Sequence, residues 1–321
     1  MRRYIIRRIL QAILLLFLMS VGLFLLIHAL PGGPAAVIAF NPHLTLAARQ
    51  ALIRRFGLDK PLYLQYFYWI TAALRGNFGF SYVDGQAVTA LLGQTFGNTL
   101  ELFGSALVFA LILAVPLGVI SAIRHYTITD YLITVLAYFG ISMPIFWFGL
   151  IVQLIFGVQL HWLPVVGQRT YGYNLDPFDT FIDYLQHLIL PMCVLSLAFI
   201  AGWSRYMRSS MLETIQQDYI RTAKAKGLGP VATLVRHALR NALIPLVTVV
   251  AIDFGSIAGG AAVTETVFAW PGMGRLFIDS LTARDYPVLL AMLLLSAVVV
   301  ILFNLIADIL YAVLDPRIRY S

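Results

Sequence analysis

The amino-acid sequence predicts an all-α membrane protein with six transmembrane helices. Of its 321 residues, 60% are hydrophobic and 12% are charged, about half the charged share of an ordinary soluble domain. The mean hydropathy of +0.84 points the same way. Apolar segments of the ~20 residues that a helix needs to cross a bilayer recur along the chain. They lie at about 9–30, 101–123, 131–157, 184–204, 242–264 and 287–313.

The first apolar segment, 9–30, follows a basic start with Arg2, Arg3, Arg7 and Arg8, as in a secretory signal peptide. It is longer than the ~7–15 apolar residues of such a peptide, and no convincing cleavage site follows. We therefore interpret it as an uncleaved first span. No linker separates a second unit, so residues 1–321 are predicted to form one transmembrane domain.

The basic residues predict the orientation in the membrane. The N-terminus, the 124–130 turn, the 205–241 segment and the C-terminus together hold 14 of the 22 Lys and Arg residues. Because cytoplasmic loops carry the excess of Lys and Arg, both termini and 205–241 are predicted to be cytoplasmic. The net charge of +7 then reports topology, and no nucleic-acid partner is expected.

The long segment 31–100 is consequently predicted to lie outside. Thr45 is a plausible N-cap for a helix that stops at Gly57, and Pro61 opens a second helix rich in aromatic residues. These aromatic side chains suit either a belt at the membrane surface or ligand stacking, and the belt is favoured. Residues 86–97 resemble a further short helix. Segments 158–183 and 265–286 form the other outer loops, the latter a structured turn.

A polar, basic segment at 205–241 is predicted to form an elbow of two amphipathic helices. Before the break, Met207, Met211, Ile215, Tyr219 and Ala223 recur every four residues.

After the break, the apolar positions Val231, Leu234, Val235, Ala238 and Leu239 follow the spacing of a second helix. Gly227 can adopt the left-handed conformation that ends the first helix. Pro230 suits the first position of the second helix, where its missing N–H is not needed.

Asp253 falls in the middle of the fifth span, and a carboxylate there is costly unless it meets a cavity or a partner. Two readings stand about equally: a lining residue of an aqueous translocation path, and a structural partner of a polar group elsewhere. Glu101 and Glu265 mark the ends of spans, and Asn304 and Asp308 are interpreted as structural.

Motifs for catalysis, cofactors or metals are missing from the sequence. It contains no Gly-x-x-x-x-Gly-Lys-Ser/Thr phosphate loop, no His-Glu-x-x-His, no Cys-x-x-Cys and no Gly-x-Ser-x-Gly, and its six histidines are scattered. We therefore expect no catalytic, cofactor-binding or metal-binding residues, and a protein that is not itself an enzyme.

At the elbow the sequence resembles the integral-membrane subunits of binding-protein-dependent ABC importers. These subunits carry Glu-Ala-Ala, three residues, Gly, nine residues, then a hydrophobic residue, any residue, Leu and Pro. The spacing from Gly227 is kept, but Arg221 stands in place of the Glu and Arg240 in place of the Pro.

Both departures are typical of the dipeptide/oligopeptide branch, and ordered matches to that branch extend over nearly the whole chain. The matching stretches are Arg7-Arg8, Gly57-Leu-Asp-Lys-Pro61, Gly76-Asn-Phe-Gly-Phe-Ser81, Ser142-Met-Pro-Ile-Phe146, Arg208-Ser-Ser-Met-Leu212, Asp218-Tyr-Ile-Arg-Thr-Ala-Lys-Ala-Lys-Gly-Leu228, His237-Ala-Leu-Arg-Asn241, Thr264-Glu-Thr-Val-Phe268, Trp270-Pro-Gly272 and Asp315-Pro-Arg-Ile-Arg319.

The resemblance implies a type I ABC importer permease fold, and the first of two permease subunits in a prokaryotic cytoplasmic (inner) membrane. The implied partners are a homologous second permease, two ATPase subunits that bind ATP and Mg, an extracytoplasmic solute-binding protein, a short peptide as substrate, and membrane lipid. The elbow would dock on an ATPase subunit and drive alternating access. The implied contact residues are Tyr219, Arg221, Thr222, Ala223, Lys224, Gly227, Leu228, His237, Leu239 and Arg240.

Other interpretations remain beside this one. Relatives of the branch carry nickel, glutathione or oligosaccharides, and a basic elbow is also attracted to anionic lipid headgroups. An ion-coupled secondary transporter would show an inverted repeat and broken helices near the midplane, and neither is clear in the sequence. A membrane enzyme is the third interpretation, and the lack of any catalytic constellation in the sequence argues against it.

Overall fold

The computed structural model describes residues 2–29, 33–34, 45–55, 57–172, 176–259 and 261–314. The predictions that fall on 30–32, 35–44, 173–175 and the C-terminal 315–321 lie outside these residues.

Helices dominate the described chain, in which the only sheet-like pairing is one antiparallel bridge between Phe80 and Ala87. In chain order the helices are α1 (Arg2–Ala29), α2 (Leu46–Arg55), α3 (Leu62–Ala73), α4 (Val88–Ile123), α5 (Ile128–Ser142), α6 (Ile145–Gln159), α7 (Pro177–Ile215), α8 (Asp218–Ala225), α9 (Pro230–Gly255), α10 (Ala262–Val267), α11 (Met273–Ala283) and α12 (Tyr286–Leu314).

Five of these helices are long and apolar enough to cross a membrane: α1, α4, α7, α9 and α12. The bent pair α5–α6 makes a sixth span if it is counted as one. The prediction of an all-α polytopic membrane protein is therefore confirmed.

The third predicted span, 131–157, is not one helix, because α5 and α6 meet at an angle of 102°. Proline disfavours helical backbone in the residue before it, and Met143 is extended, with φ −80° and ψ 126°. A broken helix, which is not clear in the sequence, therefore occurs at Met143-Pro144.

Two other spans differ in their limits from the prediction. The short helix expected at 86–97 and the span 101–123 are one helix, α4, so the outer loop expected over 31–100 stops at Ala87. The helix continues outward because Val88 and Leu92 are buried against Met273 on α11 and Val288 on α12.

At the fifth span, predicted over 242–264, α9 ends at Gly255 and one 3-10 turn follows over Ser256–Gly259. Glycine has low helix propensity, which explains the early end. The same helix begins at Pro230, so elbow and span are continuous.

The centre of the fold is the pair α4 and α7. Leu102, Leu107, Trp203 and Met207 are buried in one core with residues of α8 and α9. At Gly118 the two helices almost touch, since a Cβ added there would lie 2.5 Å from the Met207 Cβ. Small residues permit such close approach in membranes.

Helices α2 and α3 begin where the sequence predicts, and α2 ends at Arg55, two residues before the predicted stop at Gly57. The Arg49 N–H donates to the Thr45 carbonyl at 2.9 Å, and α3 follows Pro61. The aromatic group of α3 is divided, because Tyr66 and Trp69 pack on Phe24 of α1 with centroids 5.4 and 5.7 Å away. Tyr63, Phe67 and Tyr68 are exposed.

Candidate coupling elbow and translocation path

The elbow connects α7 to α9 through the short helix α8. α7 ends at Ile215, and Gln217 is extended, with φ −70° and ψ 148°, before α8 begins at Asp218. The single amphipathic helix predicted across Met207 to Ala223 is therefore wrong. Because α8 starts a new helical phase, Ile220 is buried where the predicted stripe has the exposed Tyr219.

Gly227 ends α8 in the conformation that the sequence predicts. Its φ is +82°, and its N–H donates to the Lys224 carbonyl at 3.0 Å. The Leu228 N–H reaches back to the Ala223 carbonyl at 3.3 Å. These two bonds form a Schellman motif, which satisfies carbonyls at the helix end and fixes the direction of the chain.

Pro230 occupies the first turn of α9, as predicted, with Gly229 as N-cap. Residues Thr233–Leu239 then form a π-helical stretch, which the α-helical spacing rule does not anticipate. Of the predicted core residues, Ala238 is buried and Leu234 and Leu239 pack against the core, as expected. Val231 and Val235 are exposed instead, and Thr233 is buried.

The inner face of the elbow belongs to the central core. Ile220 and Ala238 are buried in the same cluster as Met207 and Met211, and Ala223 is buried as well.

Hydrogen bonds reinforce this packing of the elbow. The Ser210 hydroxyl on α7 donates to the Ala242 carbonyl on α9 at 2.8 Å, and the Asn241 side chain donates to the Tyr219 hydroxyl at 3.1 Å. The elbow is thus anchored to both long helices. A cavity of about 660 Å³ lies between this inner face and the C-terminal end of α4, lined by Ile220 and Ala238 of the elbow and by Ala122 and Ile123 of α4.

Most of the predicted contact residues lie on the outer face of the elbow, which is the face that points away from the central core. Six are exposed: Tyr219, Arg221, Thr222, Lys224, Gly227 and Arg240. Leu228, His237 and Leu239 are half-buried. Ala223 is buried against the core and does not reach the outer face.

Charged and apolar groups alternate on this outer face. The Arg221–Asp218 pair is 3.4 Å long with both side chains exposed, so it adds little to stability. Val231 and Val235 add exposed apolar area beside it. A basic surface with exposed apolar side chains suits contact with another protein.

An ion pair between the third and fourth spans was missed by the sequence reasoning. Arg208 of α7 binds both carboxylate oxygens of Asp130 of α5, each at 2.7 Å. The Ser121 hydroxyl, the Tyr126 N–H and, at 3.5 Å, the Thr134 hydroxyl also donate to this carboxylate. The buried Asp130 thereby joins neighbouring ends of α4, α5 and α7.

Asp253 has a partner on another helix. The Trp203 indole N–H of α7 donates to the Asp253 carboxylate at 2.7 Å, and the Asp253 side chain remains half-exposed. It lies 13 residues beyond Arg240 on the same helix, or about 20 Å away at 1.5 Å per residue. The structure thus places Asp253 apart from the elbow, with a hydrogen-bond partner and an open side.

Glu265 was read as the mere end of a span, but it is fully buried. Its carboxylate accepts from the Thr99 hydroxyl at 2.8 Å and from the N–H groups of Ala261 and Arg275 at 3.1 and 3.0 Å. It therefore connects the outer loop after α9 to α4.

Asp285, just before α12, plays a similar part for the other outer loop. It accepts from the Ser81 hydroxyl at 2.5 Å and from the Tyr82 N–H at 3.1 Å. Burial, and then the nearby Asp285 carboxylate, raises the pKa of the Tyr82 phenol above its ordinary value. The segments before α4 and after α9 are thus held to the spans by buried polar contacts.

Within the described ranges, no group of three or more His, Cys, Asp or Glu residues could hold a metal ion.

Comparison with known protein families gives two family models that match the chain. A family model described as binding-protein-dependent transport system inner membrane component matches residues 114–320. A second model, described as the N-terminal part of such a membrane component, matches residues 1–115.

Individual relatives align from end to end. The chain is 44% identical to the oligopeptide transport system permease protein AppB of Bacillus subtilis over 321 residues, covering 100% of both chains. It is 40% identical to the glutathione transport system permease protein GsiC of Escherichia coli K12, and 41% identical to a putative peptide permease protein of Brucella ovis, again with 100% of each chain covered. With two family models spanning it and relatives above 40% identity over full length, the chain belongs to the family of inner membrane components of binding-protein-dependent transport systems.

Proposed function

We propose that the chain is the permease subunit of an ATP-driven importer for short peptides, and that its elbow receives the movement of a separate ATPase. The observation that carries the proposal is the elbow itself. Its outer face presents exposed basic and apolar groups, while its inner face is fixed in the core of α4, α7 and α9. A force that acts on the exposed face of the elbow is therefore transmitted to the membrane spans.

The mechanism is alternating access. The elbow moves as a unit because the Schellman turn at Gly227 fixes its shape and Ile220 and Ala238 fix its attachment. Since α9 is continuous from Pro230 to Gly255, displacement of the elbow tilts the fifth span directly. Such rigid-body movement exchanges an inward opening for an outward one.

The cargo follows from the relatives. Those named above transport oligopeptides, glutathione or, putatively, peptides, and all of these cargos carry amide bonds and free carboxylates. Glutathione is the second candidate, supported by the 40% identity to GsiC over the whole chain.

The assembly requires further chains. A second, homologous permease would complete the path, two ATPase subunits would bind ATP and Mg, and an extracytoplasmic binding protein would deliver the peptide. The basic residues in the N-terminus, the 124–130 turn and the elbow support cytoplasmic termini.

The test is peptide uptake and ATP hydrolysis by the complete complex in proteoliposomes. Peptide-loaded binding protein should stimulate both activities in the unmodified complex. Gly227→Pro should abolish the stimulation, because proline fixes φ near −65° whereas Gly227 has φ +82°. Gly229→Ala is the matched control, since Gly229 has φ −63° and open space around it.

A complex without an associated ATPase would contradict the importer. Stimulation by glutathione and not by other peptides would support the second candidate, and stimulation by a metal or sugar alone would remove peptides as cargo.

A further inference from the structure

A groove of about 620 Å³ opens between α5 and α7 in the cytoplasmic half of the membrane. Its volume falls in the range of ligand pockets, roughly 300–1,000 Å³. Hydroxyl and guanidinium groups line it: Tyr131, Thr134 and Tyr138 from α5, and Arg205, Tyr206 and Ser209 from α7.

Two adjacent stripes on α5 differ in chemistry, and only one of them borders the groove. Leu132, Val135, Leu136 and Phe139 follow helical spacing and are all exposed, so they form an apolar stripe suited to acyl chains. Tyr131, Thr134 and Tyr138 form the neighbouring stripe, which is polar and borders the groove. Polar groups at this depth normally face a cavity that holds water or a partner.

The groove reaches well into the membrane. Its cytoplasmic end is marked by the Asp130–Arg208 pair, and Tyr138 lies eight residues beyond Asp130, or about 12 Å at 1.5 Å per residue. The α5–α6 break at Met143-Pro144 follows a little more than one turn later. The groove therefore leads from the cytoplasmic surface toward the bent part of the third span.

Arg205 carries positive charge that its surroundings do not neutralise. Its guanidinium lies over the Tyr138 ring, 4.6 Å from the centroid, and its side chain is exposed in the groove. Among the residues that the structure describes, no carboxylate lies within ion-pair distance of it, whereas the neighbouring Arg208 is satisfied by Asp130.

We propose that this groove is a station on the path of the cargo, and that Arg205 is the residue that recognises the cargo's carboxylate. The inference rests on the proposed function. Guanidinium binds a carboxylate through two parallel N–H bonds, and stacking on Tyr138 holds its plane in place for that contact. The Ser209 hydroxyl supplies a further donor along the groove. The carboxylate of Asp130 does not repel the cargo because Arg208 neutralises it.

The test compares a peptide with a free C-terminal carboxylate and the same peptide with a C-terminal amide. Uptake of both is measured in proteoliposomes of the complete complex, for the unmodified protein and for Arg205→Gln. For each complex, uptake of the peptide acid is divided by uptake of the peptide amide. The measured quantity is this ratio for the unmodified complex divided by the same ratio for the variant. Any preference of the binding protein cancels, since the same binding protein serves both complexes.

We expect this quotient to be about tenfold or more, because the variant loses a charge-assisted contact to the acid alone. Arg205→Lys should keep a preference for the acid, and Arg75→Gln, which removes an exposed arginine on the outer side, should leave the ratio unchanged. A quotient near one for Arg205→Gln in a complex that transports both peptides would overturn the proposal. Failure of the unmodified complex to import either peptide would instead contradict the proposed function.

Two further readings are separated by the same assay. If Arg205 binds an anionic lipid headgroup, the variant will impair both peptides equally, and the defect will vanish in purely zwitterionic liposomes; that result overturns the proposal. If Arg205 pairs with another subunit, the variant will fail to assemble. In that case the unmodified complex decides: a peptide with a photoreactive residue beside its C-terminus should label α5 or α7 at the groove, and labelling confined to other helices would overturn the proposal.

Discussion

The ion pair between Asp130 and Arg208 permits a quantitative prediction. Asp130 has 3% of its side chain exposed and Arg208 has 29%, so the pair is largely withdrawn from water. Removing one partner of a buried pair costs about 3–5 kcal/mol, because the other charge is left uncompensated. The residual exposure of Arg208 places Asp130→Asn near the lower end, at about 3 kcal/mol. With about 2–4 °C per kcal/mol for a large domain, its unfolding midpoint should fall by about 6–12 °C.

The assay is a double-mutant cycle on the purified protein, with thermal unfolding as the readout. Asp130→Asn and Arg208→Gln are measured singly and together. The double variant should be less destabilised than the sum of the single variants, by roughly 1–3 kcal/mol, since the second change removes a charge that has already lost its partner.

The matched control is Asp218→Asn, because Asp218 also pairs with an arginine but both side chains are exposed. Its midpoint should be nearly unchanged. Strict additivity of the two single effects, or an equal effect of Asp218→Asn, would refute the reasoning that burial makes the pair strong.

Three further predictions concern the spans and the outer side. Gly118→Ala should destabilise the protein by about 1–3 kcal/mol in thermal unfolding, since its Cβ would clash with Met207, whereas Gly104→Ala on the same helix has open space and should be tolerated. Trp203→Phe should lower stability by about 1.5–3 kcal/mol, because the hydrogen bond to the Asp253 carboxylate is lost. Asp253→Asn keeps a hydrogen-bond acceptor for Trp203. Reduced uptake at normal stability in Asp253→Asn would favour a role in the translocation path, and reduced stability would favour a structural role. Thr99→Val should cost about 1–3 kcal/mol, because Glu265 loses a hydrogen-bond donor and the Met273 N–H loses its acceptor. Thr71→Val is the control, since the Thr71 hydroxyl is exposed. Equal unfolding midpoints for the two variants would contradict this account.

The sequence predicts the parts of the elbow that depend on neighbouring residues. Gly227 and Pro230 act through their own backbone preferences, and both occupy the expected conformations. The stripes beside them are right at most positions, since Met207, Met211 and Ala238 are buried, but wrong at Tyr219, Val231 and Val235, which are exposed. The end of α7 and the π-helical stretch change the helical phase there. Such changes depend on how the elbow packs against Met207 and Met211, and side-chain spacing alone does not show that packing.

Long-range pairs were the other omission. Asp130 and Arg208 are 78 positions apart, and Thr99 and Glu265 are 166 apart. One sequence gives no means of pairing them. The prolines illustrate the same limit: Pro116, Pro191 and Pro245 remain inside continuous helices, and only Pro144, among the prolines in the described spans, breaks one. Surrounding helices determine whether the freed backbone groups can be satisfied.

The distribution of continuous and broken helices indicates how movement of the elbow could reach the outer face. α4 has 36 residues, about 54 Å of helix at 1.5 Å per residue, which exceeds the ~40–45 Å of a whole bilayer. Its C-terminal half shares a core with α8, and its N-terminal half bonds through Thr99 to Glu265. A displacement at the elbow therefore arrives at the outer loops without crossing a joint. The third span has such a joint at Met143-Pro144, and it borders the groove that contains Arg205. We therefore expect α4, α7 and α9 to move as one body when the elbow moves. The α5–α6 bend should change its angle to accommodate this movement, so that the groove becomes wider or narrower with the position of the elbow.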